Sequence, residues 1–388
     1  MKNIRFYLLG VPVMIAACHS GSVKKDTAAD SNAAVPMATH ASAVEQHLPE
    51  NFYKRFQGII GDRNVILNLN RTGKDFDGAL DDSGTRSKLI LDTLINRDSL
   101  ILKEINLANS AQDKKGGLRL HLKWTGTVLE GTASEGGKTM SLHFEERYPD
   151  GSYPFNISNY TDSAKAFTRQ KNSPQAQISY TYLFPAGSST QEKWLDGQLK
   201  KALDIPVTSP WPAGIKNASH SYLENYKKEL SDQGADGDIG AAYNYEQLHQ
   251  FYLRFNTNGY VILEQLMSDY AGGAHGNYNS TMLCFDLKKQ RRLSLADVVK
   301  IDTLALQQLV EKNFRIQYHV KTGEALSTQL FEDHLAANSN FYFDSKGIGF
   351  LYNPYEVASY AQGQLVVSVP FTELKPFLNK DFVQRMGL

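Results

Sequence analysis

The sequence predicts an α+β protein: an N-terminal all-β, barrel-like meander followed by a mixed α+β domain built on an antiparallel sheet. Three observations carry this expectation. Between residues 48 and 150, apolar residues alternate with polar ones in short runs separated by glycines, the period-two pattern of half-buried strands. From residue 174, strand-like runs are interleaved with segments whose apolar residues recur at helical spacing behind capping signals. The supply of large side chains, 20 Tyr, 19 Phe and 3 Trp in 388 residues, is adequate for two cores.

The chain opens with Lys2 and Arg5 ahead of a short apolar run that ends Ile15-Ala16-Ala17-Cys18. Cations, an apolar stretch and small residues at the cut are the layout of a secretory signal. The run is shorter than the roughly 20 residues that span a bilayer, and Gly10 and Pro12 weaken it as a helix. Its ending resembles a bacterial lipobox, which implies a lipoprotein signal peptide over residues 1–17 and acylation of Cys18. Two or more acyl chains, palmitate among them, make a stable anchor. Position 19 is His rather than Asp, which by Gram-negative sorting rules implies the outer membrane. An ordinary cleaved signal with a chance cysteine is the plainer alternative. Residues 18–47 are small and polar and cannot bury enough apolar surface to fold. They are expected to form a flexible tether with a reach of about 30 Å.

Formal charge is balanced at 41 cations against 41 anions, and loss of Lys2 and Arg5 leaves a charge near −2. No basic footprint for nucleic acid results. With Cys18 lipidated, Cys284 is the one remaining cysteine and cannot form an intramolecular disulfide. Cys284 alternates with Met282 and is expected to be a buried thiol rather than a nucleophile.

In the first domain, residues 48–150, Val65-Leu67-Leu69 and Leu118-Leu120-Leu122 are clear half-buried strands. Stretches 86–95, 99–107 and 140–144 are further candidates. Evenly spaced short strands predict a closed or half-closed barrel. Its interior is expected to be filled by side chains, with a small apolar ligand as the alternative. Residues 151–173 are expected to be a linker. In the last domain, residues 174–388, a strand at 178–184 precedes a helix that Ser189 and Glu192 cap. Ser221 and Glu224 repeat that signature and predict a second helix start. Phe251, Leu253 and Phe255 mark a strand, Asn258-Gly259 a hairpin turn, and 260–270 and 278–286 its continuation. A helix is expected from Asp302 with Leu306, Leu309, Val310 and Phe314 inward, another near Ser327, closing strands at 341–343, 348–352 and 365–369, and a last helix after Thr372.

The string Tyr270-Ala271-Gly272-Gly273-Ala274-His275-Gly276-Asn277 is the most unusual in the chain. Three glycines within five residues permit positive φ and close backbone approach. His275 is there a candidate base or metal ligand, or a residue that bonds backbone. A metal site would draw on His249, His275 and either Asp269 or Glu264. Tyr352, Tyr355 and Tyr360 occupy one turn-rich stretch; tyrosines on a rigid loop offer amphipathic contact area at low entropic cost, unless they pack inward. The sequence has no His-Glu-x-x-His, no Gly-x-Ser-x-Gly and no phosphate-cradling Gly-x4-Gly-Lys-Ser/Thr. No catalytic residue, metal ligand or cofactor is therefore assigned. Tyr270, His275, Tyr352, Tyr355 and Tyr360 are the candidate ligand-binding residues.

These strings carry a resemblance. Residues 270–277, then Leu283-Cys284-Phe285-Asp286-Leu287, residues 293–299, 353–363 and 367–374 together resemble the extracytoplasmic region of RsiV-like proteins. They also resemble the accessory domain of PdaC-type peptidoglycan deacetylases. The match spans roughly residues 175–380. It implies an α+β fold and binding of a protein or peptidoglycan-related ligand at the cell envelope. RsiV itself is an anti-sigma factor that senses lysozyme, but no sigma-binding segment, membrane-spanning run or deacetylase catalytic domain accompanies the match. Neither signalling nor deacetylation is implied. The expectation is a lipid-anchored envelope protein with a binding function. The alternatives are a glycan-modifying hydrolase acting through His275 and a carboxylate, or a carrier of small apolar ligands in the β domain.

Overall fold

In the computed structural model the described residues are 47–82, 85–105, 116–168, 171–232 and 243–388. The expected signal peptide, Cys18, nearly all of the tether and most of the loop at 231–240 lie outside them. No described helix is long and apolar enough to cross a membrane.

The N-terminal strands form a closed antiparallel barrel: β1 (Asn51–Ile60), β2 (Arg63–Thr72), β3 (Asp75–Asp82), β4 (Thr85–Leu94), β5 (Ser99–Ile105), β6 (Arg119–Trp124), β7 (Val128–Glu135) and β8 (Lys138–Glu146). The expected barrel is borne out. Alternation sends Phe56, Leu67, Leu69, Leu89, Leu129 and Phe144 inward, each with no exposed surface. Trp124 packs edge-on to Phe56 with centroids 6.0 Å apart. Closure pairs β1 with β8, Gly58 facing Phe144. A side chain at Gly58 would overlap the carbonyl of His143, so glycine is required where the first and last strands meet.

The remaining strands form two sheets. The larger has the order β14 (Arg291–Arg292), β13 (Asn277–Asp286), β12 (Tyr260–Tyr270), β11 (Tyr245–Thr257), β10 (Gln175–Pro185) and β9 (Phe155–Lys165). The smaller is β15 (Phe341–Phe343), β16 (Gly347–Tyr352) and β17 (Leu365–Pro370). All pairs are antiparallel except β10 with β11, whose connection carries α1 (Thr190–Ala202) and α2 (Trp211–Asp232). A parallel pair needs such a crossover. The two helices cover one face of the larger sheet, where Phe251, Leu253, Val261, Leu263, Leu283 and Phe285 join their core. The other face, through Phe255, Ile262, Met282 and Cys284, packs on α3 (Thr303–Gln317) and the smaller sheet.

Local signals explain several boundaries. Ser189 and Glu192 form the expected reciprocal cap on α1, and the Asp302 carboxylate accepts from Leu304 and Ala305 N–H to start α3. Asn258 and Gly259 both take positive φ, 56° and 80°, as a tight hairpin between β11 and β12 requires.

Other expectations are corrected. The stretch expected as a linker contains β9, an eleven-residue edge strand in full register with β10. The helix expected to start at Ser221 begins ten residues earlier, behind Pro210. Pro212 is tolerated in its first turn, and the Ser221 hydroxyl donates to the Asn217 carbonyl at 3.0 Å within the helix. Near Ser327 there is one 3-10 turn, Leu326–Thr328, held by the Asp333 carboxylate accepting from the Leu326 N–H. The last helix is two short pieces, α4 (Phe371–Leu374) and α5 (Lys380–Met386), with Pro376 between them.

The barrel is fastened to the sheets along a polar seam. A bulge at Arg254 shifts the β11 register between Leu253 and Phe255. It aims the guanidinium at Asp77 of the barrel (3.0 Å) and Glu264 of β12 (2.6 Å). Arg86 of β4 pairs with Asp81 at 2.9 Å and donates to the Arg254 carbonyl. Asn256 donates to the Tyr53 hydroxyl and the Tyr153 carbonyl, and Tyr53 packs edge-on to Phe155, 5.9 Å away. Burial raises the Glu264 pKa, but Arg254, Ser280 and Lys88 outweigh it and hold the carboxyl below its ordinary range.

Candidate functional site

The Gly-rich string links β12 to β13, as expected. Gly272 and Gly273 have φ of 88° and 90°, and a side chain at Gly276 would overlap the Asp269 carbonyl. The turn therefore needs its glycines. Tyr270 donates its hydroxyl to the Gly273 carbonyl at 3.0 Å and braces the loop. His275 Nδ1 donates to the Gly276 carbonyl at 2.8 Å, which leaves Nε2 as the available nitrogen.

The turn after β16 is docked against this loop. Asn353 does the docking: its Oδ1 accepts from Ser280 N–H at 2.7 Å and from Gln364 at 3.0 Å, and its Nδ2 donates to the Ser280 carbonyl at 3.1 Å. Glu356 accepts from Asn353 N–H and from Asn338, which closes the turn. The Tyr360 hydroxyl then reaches the Gly276 carbonyl at 2.9 Å, so Tyr360 and His275 bond the same oxygen.

The result is a cluster of rings. His275 stacks on Tyr360, with centroids 4.2 Å apart and planes 24° from parallel. Tyr355 lies 5.5 Å from Tyr360, tilted by 33°. Tyr278 meets Tyr360 edge-on at 6.1 Å. Burial raises the pKa of Tyr278. Tyr355 has φ of 66°, a left-handed conformation that costs a bulky residue about 1–3 kcal/mol. Its side chain is nonetheless 54% exposed. A strained backbone that leaves more than half of an aromatic residue in solvent gains little by burial.

Among the sequence-derived candidates, His275, Tyr355 and Tyr360 come together, and Tyr270 supports their loop. Tyr352 does not join them. It is 1% exposed and donates to the Ala336 carbonyl at 2.7 Å, so it is a core residue beneath the turn. Tyr278 and Asn353 were not singled out from sequence. The alternation Tyr278, Ser280, Met282, Cys284 is the pattern that places Tyr278 on this face.

The considered metal ligands are not assembled. His249 stacks on Tyr180 at 4.8 Å and bonds Gln247 on the helix-covered side of the sheet; burial lowers its pKa. Asp269 pairs across from Gln247 on that same side. Glu264 points to the opposite face, bound to Arg254 and Ser280. Among the described residues no group of three or more His, Cys, Asp or Glu is placed to hold a metal ion. Cys284 donates to the Phe341 carbonyl, and burial pushes its thiol up to about 12. Such a group is a thiol at neutral pH, not a nucleophile.

The barrel interior is occupied by its own side chains. A hollow of about 390 Å³ opens at its rim among Lys103, Glu104, Leu118, Arg119 and the glycines at 116, 117, 136 and 137.

Comparison with known proteins adds the following. Residues 296–372 match a family model described as "Protein of unknown function (DUF3298)". The chain thus carries a DUF3298 domain in its C-terminal part, which includes Tyr355 and Tyr360 but not His275. In fold it is similar to a crystal structure of a DUF3298 family member from Bacteroides fragilis. Identity is 24% and the TM-score 0.56, over 61% of this chain and 98% of that one. A DUF3298 family protein from Pseudomonas aeruginosa aligns at 18% identity and a TM-score of 0.42, over 60% of this chain and 97% of that one. No curated protein matches the chain.

Proposed function

We propose that this chain is a lipid-anchored envelope protein whose C-terminal α+β body binds a protein or peptidoglycan-related ligand through His275, Tyr355 and Tyr360. The observation that carries the reading is Tyr355: an exposed ring on a left-handed backbone, backed by the Tyr360–His275 stack. Rigid aromatics of this kind supply contact area with little ordering cost. The RsiV-like and PdaC-like strings support the same class of ligand. Cys18 would hold the body at the outer membrane in place of a spanning helix, because the lipobox precedes a tether long enough to stand the body off the bilayer.

The test is retention of the purified protein on peptidoglycan and on immobilised lysozyme. Tyr355→Ala is expected to weaken retention at least about fivefold, the effect of truncating an interface anchor. Retention of neither material by the unaltered protein would remove the reading. For the anchor, Cys18→Ala should release the protein from membranes on alkaline washing, and continued association would exclude it. The hydrolase alternative places His275 Nε2 as the base. Chitooligosaccharide cleavage that disappears in His275→Ala would favour it over binding alone.

A further inference from the structure

The hairpin of β12 and β13 has chemically opposite ends. Stretches 268–281 and 352–364, which build the aromatic end, contain no Lys or Arg. At the other end the turn after β13 holds Lys288 and Lys289, and β14 is Arg291 and Arg292, all exposed. The C-terminal segment is pinned beside it. Lys300 N–H donates to the Phe377 carbonyl at 2.8 Å, Val299 bridges to Leu378, and Lys289 pairs with Asp381 at 2.7 Å. Lys300, Lys375 and Lys380, also exposed, therefore join the same end. The carboxylates on these segments are already engaged: Asp286 by Arg385, Asp297 by Arg291, Asp381 by Lys289, Glu373 by Lys312, and Asp302 by the N–H groups that start α3. Among the described residues Lys288, Arg292, Lys300, Lys375 and Lys380 pair with no carboxylate. In a chain balanced at 41 against 41, this is a polarity of the body rather than a surplus of charge. The ten residues of β13 separate the two ends by about 30 Å.

We propose that the cationic end is a contact face for the anionic headgroups of a bilayer, which points the aromatic end away from the membrane. Clustered Lys and Arg are drawn to such surfaces within a Debye length. The choice of a bilayer over other polyanions rests on the proposed lipid anchor, which would keep the body within reach of one. Among the described residues the three hydrophobic cores are built from Leu48 onward, and residues 47–388 are the part tested without anchor or tether.

The experiment is co-sedimentation of residues 47–388 with vesicles of equal parts phosphatidylglycerol and phosphatidylcholine, beside vesicles of phosphatidylcholine alone. Binding is expected on the anionic vesicles only, weakening as salt rises. The variant Lys288→Glu/Arg292→Glu/Lys300→Glu should bind at least about tenfold more weakly. A milder variant, Lys288→Gln/Lys375→Gln/Lys380→Gln, disturbs no ion pair and should weaken binding in the same direction. Absence of binding to anionic vesicles, or binding by either variant equal to that of the unaltered protein, overturns the proposal. So does retention on heparin as strong as on vesicles, which would make the face a site for soluble polyanions. Retention of peptidoglycan or lysozyme should be unchanged in both variants, so this proposal and the aromatic-surface reading fail separately.

Discussion

The barrel and the aromatic end use the same kind of side chain to opposite purposes. In the barrel, Phe56 and Trp124 meet edge-on inside a closed sheet and lose nearly all contact with water. At the aromatic end, Tyr355 and Tyr360 meet at a similar distance, yet the outer ring stays in solvent on a strained backbone. Rings in the first arrangement stabilise the fold; rings in the second are held in place by it. The seam between them belongs with the barrel. There Arg254 and Arg86 engage Glu264, Asp77 and Asp81, and the polar groups serve to fix two bodies together.

The contrast can be broken most forcefully in the barrel. Trp124→Ala should cost about 3–5 kcal/mol in urea unfolding, as truncation of a buried aromatic does. Partner retention under native conditions should not change. The seam comes next. Arg254→Ala leaves Asp77 and Glu264 facing each other's region without their cation. Arg254 keeps 27% of its side-chain surface exposed, so the cost is expected at about 2–3 kcal/mol, below that of a fully buried pair. Its partner adds a pH signature. The folded pKa of Glu264 lies below its ordinary 4.5. Its contribution is therefore complete above about pH 4.5 and is lost as pH falls through the depressed folded value. Glu264→Gln should flatten that part of the stability curve in acid titration. An unchanged acid limb would mean that Glu264 is not held by Arg254. A smaller effect is expected at the docking residue of the aromatic end. Asn353→Ala removes two accepted bonds and one donated bond, costs about 1–2 kcal/mol, and should lower partner retention because the turn loosens from β13.

Legibility in the sequence follows the same division. Features set by local chemistry could be read directly: the alternation of β2 and β6, the Ser189–Glu192 cap, the start of α3 near Asp302 and the Asn258-Gly259 turn. The strand β9 could not. Its residues are mostly Asn, Ser, Thr and Asp; Phe155, Ile157, Tyr160 and Ala164 reach the helix-covered core, but they are too sparse in the sequence to stand out, and backbone pairing to β10 runs its whole length. The Arg254 bulge was equally hidden, because a one-residue shift leaves no mark on composition and yet sends Phe255 to the opposite core. At the site, His275, Tyr355 and Tyr360 stood out as members of unusual strings. Their convergence on one another, and on the Gly276 carbonyl, is a long-range contact that spacing alone does not encode. Tyr352 has the same composition-level signal as Tyr355. Only burial separates them, because Tyr352 is the last residue of a central strand.

Tyr355→Gly tests the central claim most directly, because it separates stability from contact at one residue. Glycine accepts the left-handed conformation without strain, so stability in urea unfolding should hold or rise by up to about 1 kcal/mol. Retention on peptidoglycan or lysozyme should fall at least about fivefold in the same preparation. A protein that loses stability while keeping its retention would show that Tyr355 belongs to the fold, and would contradict the account.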